Sequence, residues 1–194
     1  MTKVPIPSFR PLLAKHGFRS IALFLCFATV ACGVTSDRIY NLNLYRRDAQ
    51  SFLISGATNS RNIPTFISGN PFGISPTTLA NIVASSIQSA FPSREVGFVV
   101  RDSDDVRTDV LMVVAFDPPT ATVGRQLCAA PGRIPSAPSS EAIRTVMAFC
   151  FGNRPLVSIE GRLDRGSGVG DAEFVVLLRD MTRRMFETSP TKSP

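Results

Sequence analysis

The stretch that decides the fold is residues 142–163, AIRTVMAFCFGNRPLVSIEGRL. Two apolar runs rich in β-branched residues, Ala142–Phe151 and Leu156–Leu163, flank the turn-forming residues Gly152-Asn153-Arg154-Pro155. The first run is also compatible with a helix, but its β-branched content and the short turn favour a strand. The stretch therefore predicts an antiparallel β-hairpin.

Further strands are predicted on the N-terminal side of this hairpin. Apolar and polar residues alternate in Ile39–Arg46, and Ile63–Ser68 is an apolar run that ends in a glycine-containing turn. The apolar runs Val96–Arg101 and Asp109–Asp117 are separated by a short acidic segment that contains Asp102. Their closeness along the chain predicts a second hairpin.

Two helices are predicted from apolar residues at helical spacing. Ser75 and Pro76 supply an N-cap and a first-turn proline for a helix over Pro76–Phe91. The second helix covers Asp171–Glu187, and Asp171 is its predicted N-cap. Its predicted buried face consists of Phe174, Leu177, Leu178, Met181 and Met185. Residues 118–141 are predicted to be a loop with one helical turn near Arg125.

This order of elements predicts an α+β fold, in which an antiparallel sheet of about five to six strands carries two helices on one face. A chain of 194 residues is consistent with one such domain. We place the domain at residues 39–187. It is preceded by a signal peptide at 1–31 and a tether at 32–38, and followed by a disordered tail at 188–194.

The N-terminal residues have the character of an export signal. Residues 1–20 are basic and contain no acidic residue, and Ile21–Ala31 is an apolar run. That run is too short for a bilayer span of about 20 residues, but it fits the core of a secretory signal. The whole chain has a net charge of +6, whereas the part after residue 31 carries 16 Arg and one Lys against 15 acidic residues. A nearly neutral exported domain is not expected to bind nucleic acid.

The signal ends in Thr29-Val30-Ala31-Cys32-Gly33. Small residues permit cleavage before Cys32, and a cysteine at that place resembles a bacterial lipoprotein signal, in which the thiol is diacylated before cleavage. Thr29 stands where such signals usually carry leucine. Two alternatives remain open: an ordinary signal peptidase that leaves Cys32 as a free thiol in a secreted protein, and an uncleaved N-terminal anchor. Gly33, rather than aspartate, resembles the pattern of sorting to the outer membrane.

The remaining cysteines suggest a disulfide. Cys26 would leave with the signal peptide and Cys32 would carry lipid, which leaves Cys128 and Cys150 as an even pair in an oxidising compartment. The segment between them is rich in Pro, Ser and Ala, and a disulfide would tether it. The alternative is a pair of buried free thiols.

Residue types exclude much catalytic chemistry. After His16, which lies in the leader, the chain has no histidine, and the mature part has a single lysine, Lys192, in the tail. Ser-His-Asp, Cys-His and histidine-based zinc sites therefore lack an essential residue. We predict no catalytic residue, no metal and no cofactor. The competing class is a carboxylate-dependent enzyme acting on cell-wall glycan, and its candidate acids are Asp102, Asp104, Asp105 and Asp109.

Three surface features are candidate contact sites. Asn70-Pro71-Phe72 either places an exposed phenylalanine against a protein partner or folds Phe72 back as a lid on the core. Arg179, Arg183 and Arg184 form a solvated helix face or contact a peptide, a lipid headgroup or a partner. The glycine-rich segment 166–170 lacks the Lys-Ser/Thr of a phosphate-binding loop and is interpreted as a turn.

Short motifs over residues 69–161 resemble a family of uncharacterised proteobacterial envelope lipoproteins. The motifs are Gly69-Asn70-Pro71-Phe72 before a helix, Phe116-Asp117-Pro118 at a strand end, Leu127-Cys128, Ala148-Phe149-Cys150 and Gly161. The resemblance implies a small, disulfide-stapled domain outside the cytoplasm and carries no established activity. We therefore expect an outer-membrane lipoprotein facing the periplasm, attached through Cys32, that serves as a non-catalytic accessory or binding module for an unidentified envelope protein.

Overall fold

The structure is a computed structural model that describes residues 39–44, 49–55, 62–92, 96–102, 110–137, 141–164, 168 and 172–187. The predicted signal peptide, the predicted tether with Cys32 as its predicted lipid-attachment residue, and the predicted C-terminal tail lie outside these residues. Most of the acidic segment 102–109 and of the glycine-rich segment 166–170 lies outside them as well.

The described residues form an α+β fold, as predicted. The strands are β1 (Ile39–Leu44), β2 (Asn62–Ser68), β3 (Gly97–Val100), β4 (Val110–Phe116), β5 (Ala142–Phe151) and β6 (Arg154–Asp164). The helices are α1 (residues 49–55), α2 (Pro76–Gln88), α3 (Gly124–Ala129) and α4 (Ala172–Phe186). The predicted helical turn near Arg125 is α3.

Within the described residues the strands form one six-stranded sheet in the order β1-β6-β5-β4-β2-β3. The hairpin predicted from residues 142–163 is confirmed: β5 and β6 are antiparallel, and Phe151 pairs with Arg154 across the turn. Gly152 in that turn has a φ of 56°, which glycine adopts without steric cost. The β1–β6 and β4–β5 pairs are also antiparallel.

The second predicted hairpin is wrong. The strands from Val96–Arg101 and Asp109–Asp117 do not pair, because β2 lies between β3 and β4 and runs parallel to both. β2 has buried side chains on both faces, among them Ile63 and Phe66, and such a strand belongs inside a sheet. Helix α2 connects β2 to the parallel strand β3, so the sheet is mixed rather than wholly antiparallel.

One face of the sheet, here called the helix face, is covered by α1, α2 and α4. The Ser75 hydroxyl caps α2 by accepting a hydrogen bond from the Thr78 backbone N–H at 3.1 Å, as predicted. All five residues of the predicted apolar face of α4 are buried. Where α4 crosses β6, a Cβ at Gly161 would lie 2.5 Å from Sδ of Met181, so glycine at this position permits the close approach.

The opposite face, here called the strap face, is covered by α3 and its flanking loops. The segment between β4 and β5 over residues 118–137, here called the strap, crosses this face and contains little regular structure apart from α3. Beneath it lies a second apolar cluster. Its buried members are Phe66, Leu111, Val113, Ala115, Leu127, Cys128, Val146, Ala148 and Cys150.

Candidate functional site

The strap is joined covalently to the sheet. Cys128 of α3 and Cys150 of β5 form a disulfide, with their Cα atoms 5.7 Å apart, and both residues are buried. The predicted disulfide is confirmed, and the alternative of two free thiols does not hold. The bond lies within the apolar cluster of the strap face and fixes α3 over the centre of the sheet.

A charged cluster lies on the same face, near the end of β4. It consists of Asp117, Arg144, Glu160 and Arg162 and is called here the Arg144 cluster. Arg144 pairs across the sheet with Arg162, and Glu160 pairs with Val146 of the strap-face core. Because side chains alternate along a strand, Arg144, Glu160 and Arg162 point to the same face as Val146, the strap face.

Arg144 binds the start of the strap. Its Nη1 donates hydrogen bonds to the carbonyl oxygens of Pro118 and Pro119, at 3.1 Å and 3.0 Å. Its Nη2 donates to the carbonyl oxygen of Thr122 at 3.3 Å and to Oε2 of Glu160 at 2.7 Å. One guanidinium group thus holds three strap carbonyls and a carboxylate of β6 together.

Asp117 connects the backbone of β4 to that of β5. Its Oδ1 accepts a hydrogen bond from the Arg144 backbone N–H at 2.9 Å, and its own N–H donates to the Arg144 carbonyl at 2.7 Å. Its φ is 47°, in the left-handed region that aspartate tolerates better than most residues. At the other end of the strap, the Ala137 N–H donates to the Asp117 carbonyl. Both ends of the strap therefore meet at Asp117.

Glu160 is held in its ionised form. Burial of the Glu160 carboxyl raises its pKa, but hydrogen bonds and charges from Arg144 and Arg162 oppose this and bring the pKa below the ordinary value of 4.5. Oε1 of Glu160 accepts a hydrogen bond from Nε of Arg162 at 3.1 Å. The Glu160 side chain is 9% exposed, whereas that of Arg162 is 58% exposed. A carboxylate ionised in this way does not supply the proton that a general acid needs at neutral pH.

Asn70-Pro71-Phe72 forms the turn before α2. The Asn70 side-chain amide donates to the Ile74 carbonyl at 2.6 Å, which closes the turn. The Phe72 ring packs edge-on against Phe174 of α4, with ring centroids 4.9 Å apart. Phe72 is half-buried and covers the helix-face core, as expected of a lid. A partner contact at these three residues stays a prediction.

The remaining candidates do not converge on one place. Asp102 is exposed just after β3, and the other three aspartates of the acidic segment lie outside the described residues. On α4, Arg179 is 3.4 Å from Asp180 and Arg183 is exposed, whereas Nη1 of Arg184 donates to the Ile39 carbonyl at 3.4 Å. In the described part of the chain, no group of three or more His, Cys, Asp or Glu residues could hold a metal ion.

The sequence interpretation missed the Arg144 cluster, although a signal for it was present. Glu160 and Arg162 interrupt the otherwise apolar strand β6 on one face, and Arg144 interrupts β5. A register counted from the turn would have placed Arg144 opposite Gly161, because Phe151 pairs with Arg154, and only the register shift between Phe149 and Cys150 brings Arg144 opposite Arg162. The contacts of Arg144 with the strap carbonyls had no such signal, because they depend on the path of an irregular segment.

Comparisons with known proteins found no relative of this chain. No family model, no curated protein and no solved structure matches the chain. The resemblance to envelope lipoproteins therefore stays a prediction from short motifs. The helices in the described ranges are all too short or too polar to cross a membrane.

Proposed function

We propose that the chain is exported, is lipidated at Cys32, and acts as a non-catalytic accessory or binding module of the cell envelope, facing the periplasm from the outer membrane. The disulfide between Cys128 and Cys150 is the observation that carries this proposal. Disulfides persist in oxidising compartments such as the periplasm and are rare in the cytosol. The basic, apolar leader supplies the matching export signal.

Lipidation follows from the position of Cys32. Cleavage after Ala31 would make this cysteine the first residue of the mature chain, in the place where lipoprotein signals carry the acylated thiol. A single acyl chain gives only marginal membrane binding, whereas two or three chains on one residue give a stable anchor. Gly33 favours the outer membrane as the destination.

A non-catalytic role is supported by the state of the charged groups. The mature chain has no histidine, and its single lysine, Lys192, lies near the C-terminus. The ionised Glu160 carboxylate forms ion pairs with Arg144 and Arg162, and Arg144 also donates hydrogen bonds to strap carbonyls. These groups stabilise the strap, and a rigid scaffold of this kind suits a binding module. We place the contact with an unidentified envelope protein at Asn70, Pro71 and Phe72, of which Asn70 is exposed.

The test is the intact mass of the protein from the membrane fraction of its native host, with and without reductant. We expect a chain that begins at Cys32, is heavier by its acyl groups and gains two hydrogens on reduction. A mass that includes residues 1–31, with both domain thiols free, would contradict the proposal.

A pair of variants locates the anchor. Cys32→Ser should release the protein from the membrane fraction, because it removes the thiol that would be acylated. Cys26→Ser is the matched control, since this cysteine would leave with the signal peptide and its loss should not alter fractionation. Release by both variants, or by neither, would contradict attachment at Cys32.

A further inference from the structure

We infer that the sheet edge at the start of β1 lies against the lipid headgroups of the membrane, with Tyr40 and Arg162 in contact with them. This inference rests on the proposed lipidation at Cys32 and adds the orientation of the domain. The occupant of this edge is a lipid surface.

A short length of chain joins the proposed anchor to the sheet. Only six residues separate Cys32 from Ile39, the first residue of β1. The seven Cα–Cα steps from Cys32 to Ile39 span about 25 Å at most. The start of β1 is therefore kept close to the bilayer surface.

The direction of the strands places the hairpin turn at the end of the sheet opposite the start of β1. Tyr40 pairs with Glu160, whereas Phe151 pairs with Arg154 at the opposite end of the β5–β6 hairpin. Glu160 lies six residues after Arg154 in β6, which corresponds to about 20 Å along the strand. A domain tethered at the start of β1 can thus present one end to the membrane and hold the hairpin turn away from it.

The chemistry of Tyr40 and Arg162 suits a layer of lipid headgroups. Tyr40 is 53% exposed and Arg162 is 58% exposed. They are diagonal cross-strand neighbours on the strap face, because Tyr40 pairs with Glu160 and Arg162 follows two residues later. Tyrosine is enriched at headgroup level in membrane proteins, and arginine binds phosphate groups through its guanidinium.

The neighbouring carboxylate does not oppose this contact. Glu160 lies between the two side chains in sequence, but Arg144 and Arg162 both bind its oxygens and balance its charge. On the helix side of the same edge, Arg184 donates a hydrogen bond to the Ile39 carbonyl, which adds another guanidinium beside the start of β1.

The absence of tryptophan from the chain allows a clean test. Tyr40→Trp places a single fluorophore at the proposed contact, and Phe151→Trp places one at the far end, where Phe151 is 38% exposed. Each full-length acylated variant is reconstituted into vesicles of phosphatidylethanolamine and phosphatidylglycerol that contain phospholipids with a nitroxide on the headgroup. We expect loss of most of the emission from the tryptophan at position 40 and little loss at position 151.

The possible results separate the two proposals. Equal quenching at both positions, or stronger quenching at position 151, overturns the orientation and leaves the lipid anchor intact. Protein that does not associate with the vesicles at all overturns both proposals. A blue-shifted emission at position 40 without headgroup quenching shows that protein rather than lipid covers Tyr40, and it also overturns the orientation.

A charge variant tests the role of Arg162. Arg162→Gln should reduce the ratio of docked to undocked domain about fivefold, the effect of roughly 1 kcal/mol per basic residue near an anionic surface. Arg154→Gln is the matched control, because Arg154 is exposed at the far end of the same strand. An equal effect of the two variants would contradict a specific contact through Arg162.

Discussion

The two faces of the sheet are held in different ways. On the helix face, α2 and α4 bury side chains at regular spacing, and these are mainly apolar, with Ser86 and Thr182 as the buried polar residues of the two helices. On the strap face, the irregular segment 118–137 is held by a disulfide, by the three carbonyl contacts of Arg144 and by hydrogen bonds to Asp117. An amphipathic helix can be held by burial alone, whereas a segment with few backbone hydrogen bonds of its own needs specific partners.

This difference makes the faces separable by mutation. The helix face should respond most to loss of buried volume, and the strap face to loss of a covalent bond or a charge. Reductant should loosen the strap face more than the helix face, because the disulfide lies in the strap face.

The largest effect is expected in the helix-face core. Phe174→Ala removes a fully buried ring that packs against Phe72 and Phe116. Because such a truncation leaves a cavity, the free energy of unfolding should fall by about 3–5 kcal/mol. Urea denaturation followed by circular dichroism measures it. Arg183→Ala, an exposed position on the same helix, should change it by no more than about 0.5 kcal/mol. A loss of unfolding free energy for Phe174→Ala as small as that for Arg183→Ala would contradict the assignment of Phe174 to the packed core of the helix face.

The next largest effect is expected on the strap face. The double variant Cys128→Ala/Cys150→Ala opens the cross-link between residues separated by 22 positions. Loss of a cross-link that closes a loop of this length should lower the free energy of unfolding by about 3 kcal/mol, because the unfolded chain gains conformational freedom.

Hydrogen exchange shows where the cross-link acts. Amides of the strap should lose protection more than amides of α2 and α4, when protection is compared at equal global stability. A uniform loss across both faces would show that the disulfide stabilises the molecule only as a whole.

The helix face could be predicted from sequence in some detail. Apolar residues at helical spacing correctly placed five of the seven buried residues of α4, and the Ser75-Pro76 pair located the start of α2. These features depend on local periodicity and capping, which the sequence displays directly.

Strand partners and the Arg144 cluster could not be predicted in the same way. The short acidic connection between β3 and β4 was compatible with a hairpin, and nothing local indicated that β2 would come between them. The buried run of β2 was a partial signal, since a strand buried on both faces requires neighbours on both edges. Arg144 acts through strap carbonyls, and such contacts depend on the path of the loop.

The contacts of the charged Arg144 side chain should contribute less to the free energy of unfolding than the disulfide does. Arg144→Met removes hydrogen bonds to three strap carbonyls and one of the two arginines that bind Glu160. We expect the free energy of unfolding to fall by about 2 kcal/mol, within the range for hydrogen bonds to charged groups. Arg162→Ala is the control: this side chain is 58% exposed, and such a pair contributes less than about 1 kcal/mol. Equal losses would place the stabilisation in the ion pair rather than in the carbonyl contacts.

The ionisation of Glu160 gives the strap face a pH dependence. Because the folded pKa of Glu160 lies below 4.5, its contribution to stability is fully present above that pH and is lost as pH falls through the folded pKa. The difference in unfolding free energy between the wild type and Glu160→Gln should therefore be constant at neutral pH and shrink in acid. Urea denaturation over a pH series measures it. A difference that does not change with pH would show that the carboxylate is not the group responsible.

The smallest effect is expected on the helix face, at the turn before α2. If Phe72 acts as a lid, Phe72→Ala should cost about 1 kcal/mol, since its half-buried ring contributes mainly through the edge-on contact with Phe174. A double-mutant cycle with Phe174→Ala should then give a coupling energy of about 1 kcal/mol, because each variant removes the same contact. A coupling near zero, together with loss of a crosslinked envelope protein in Phe72→Ala, would instead assign Phe72 to partner binding. Packing on Phe174 and binding a partner exclude each other only if the ring must leave Phe174 to bind. A coupling energy near 1 kcal/mol, together with loss of the crosslinked envelope protein in Phe72→Ala, would therefore mean that the exposed part of the ring binds the partner while the rest stays packed on Phe174.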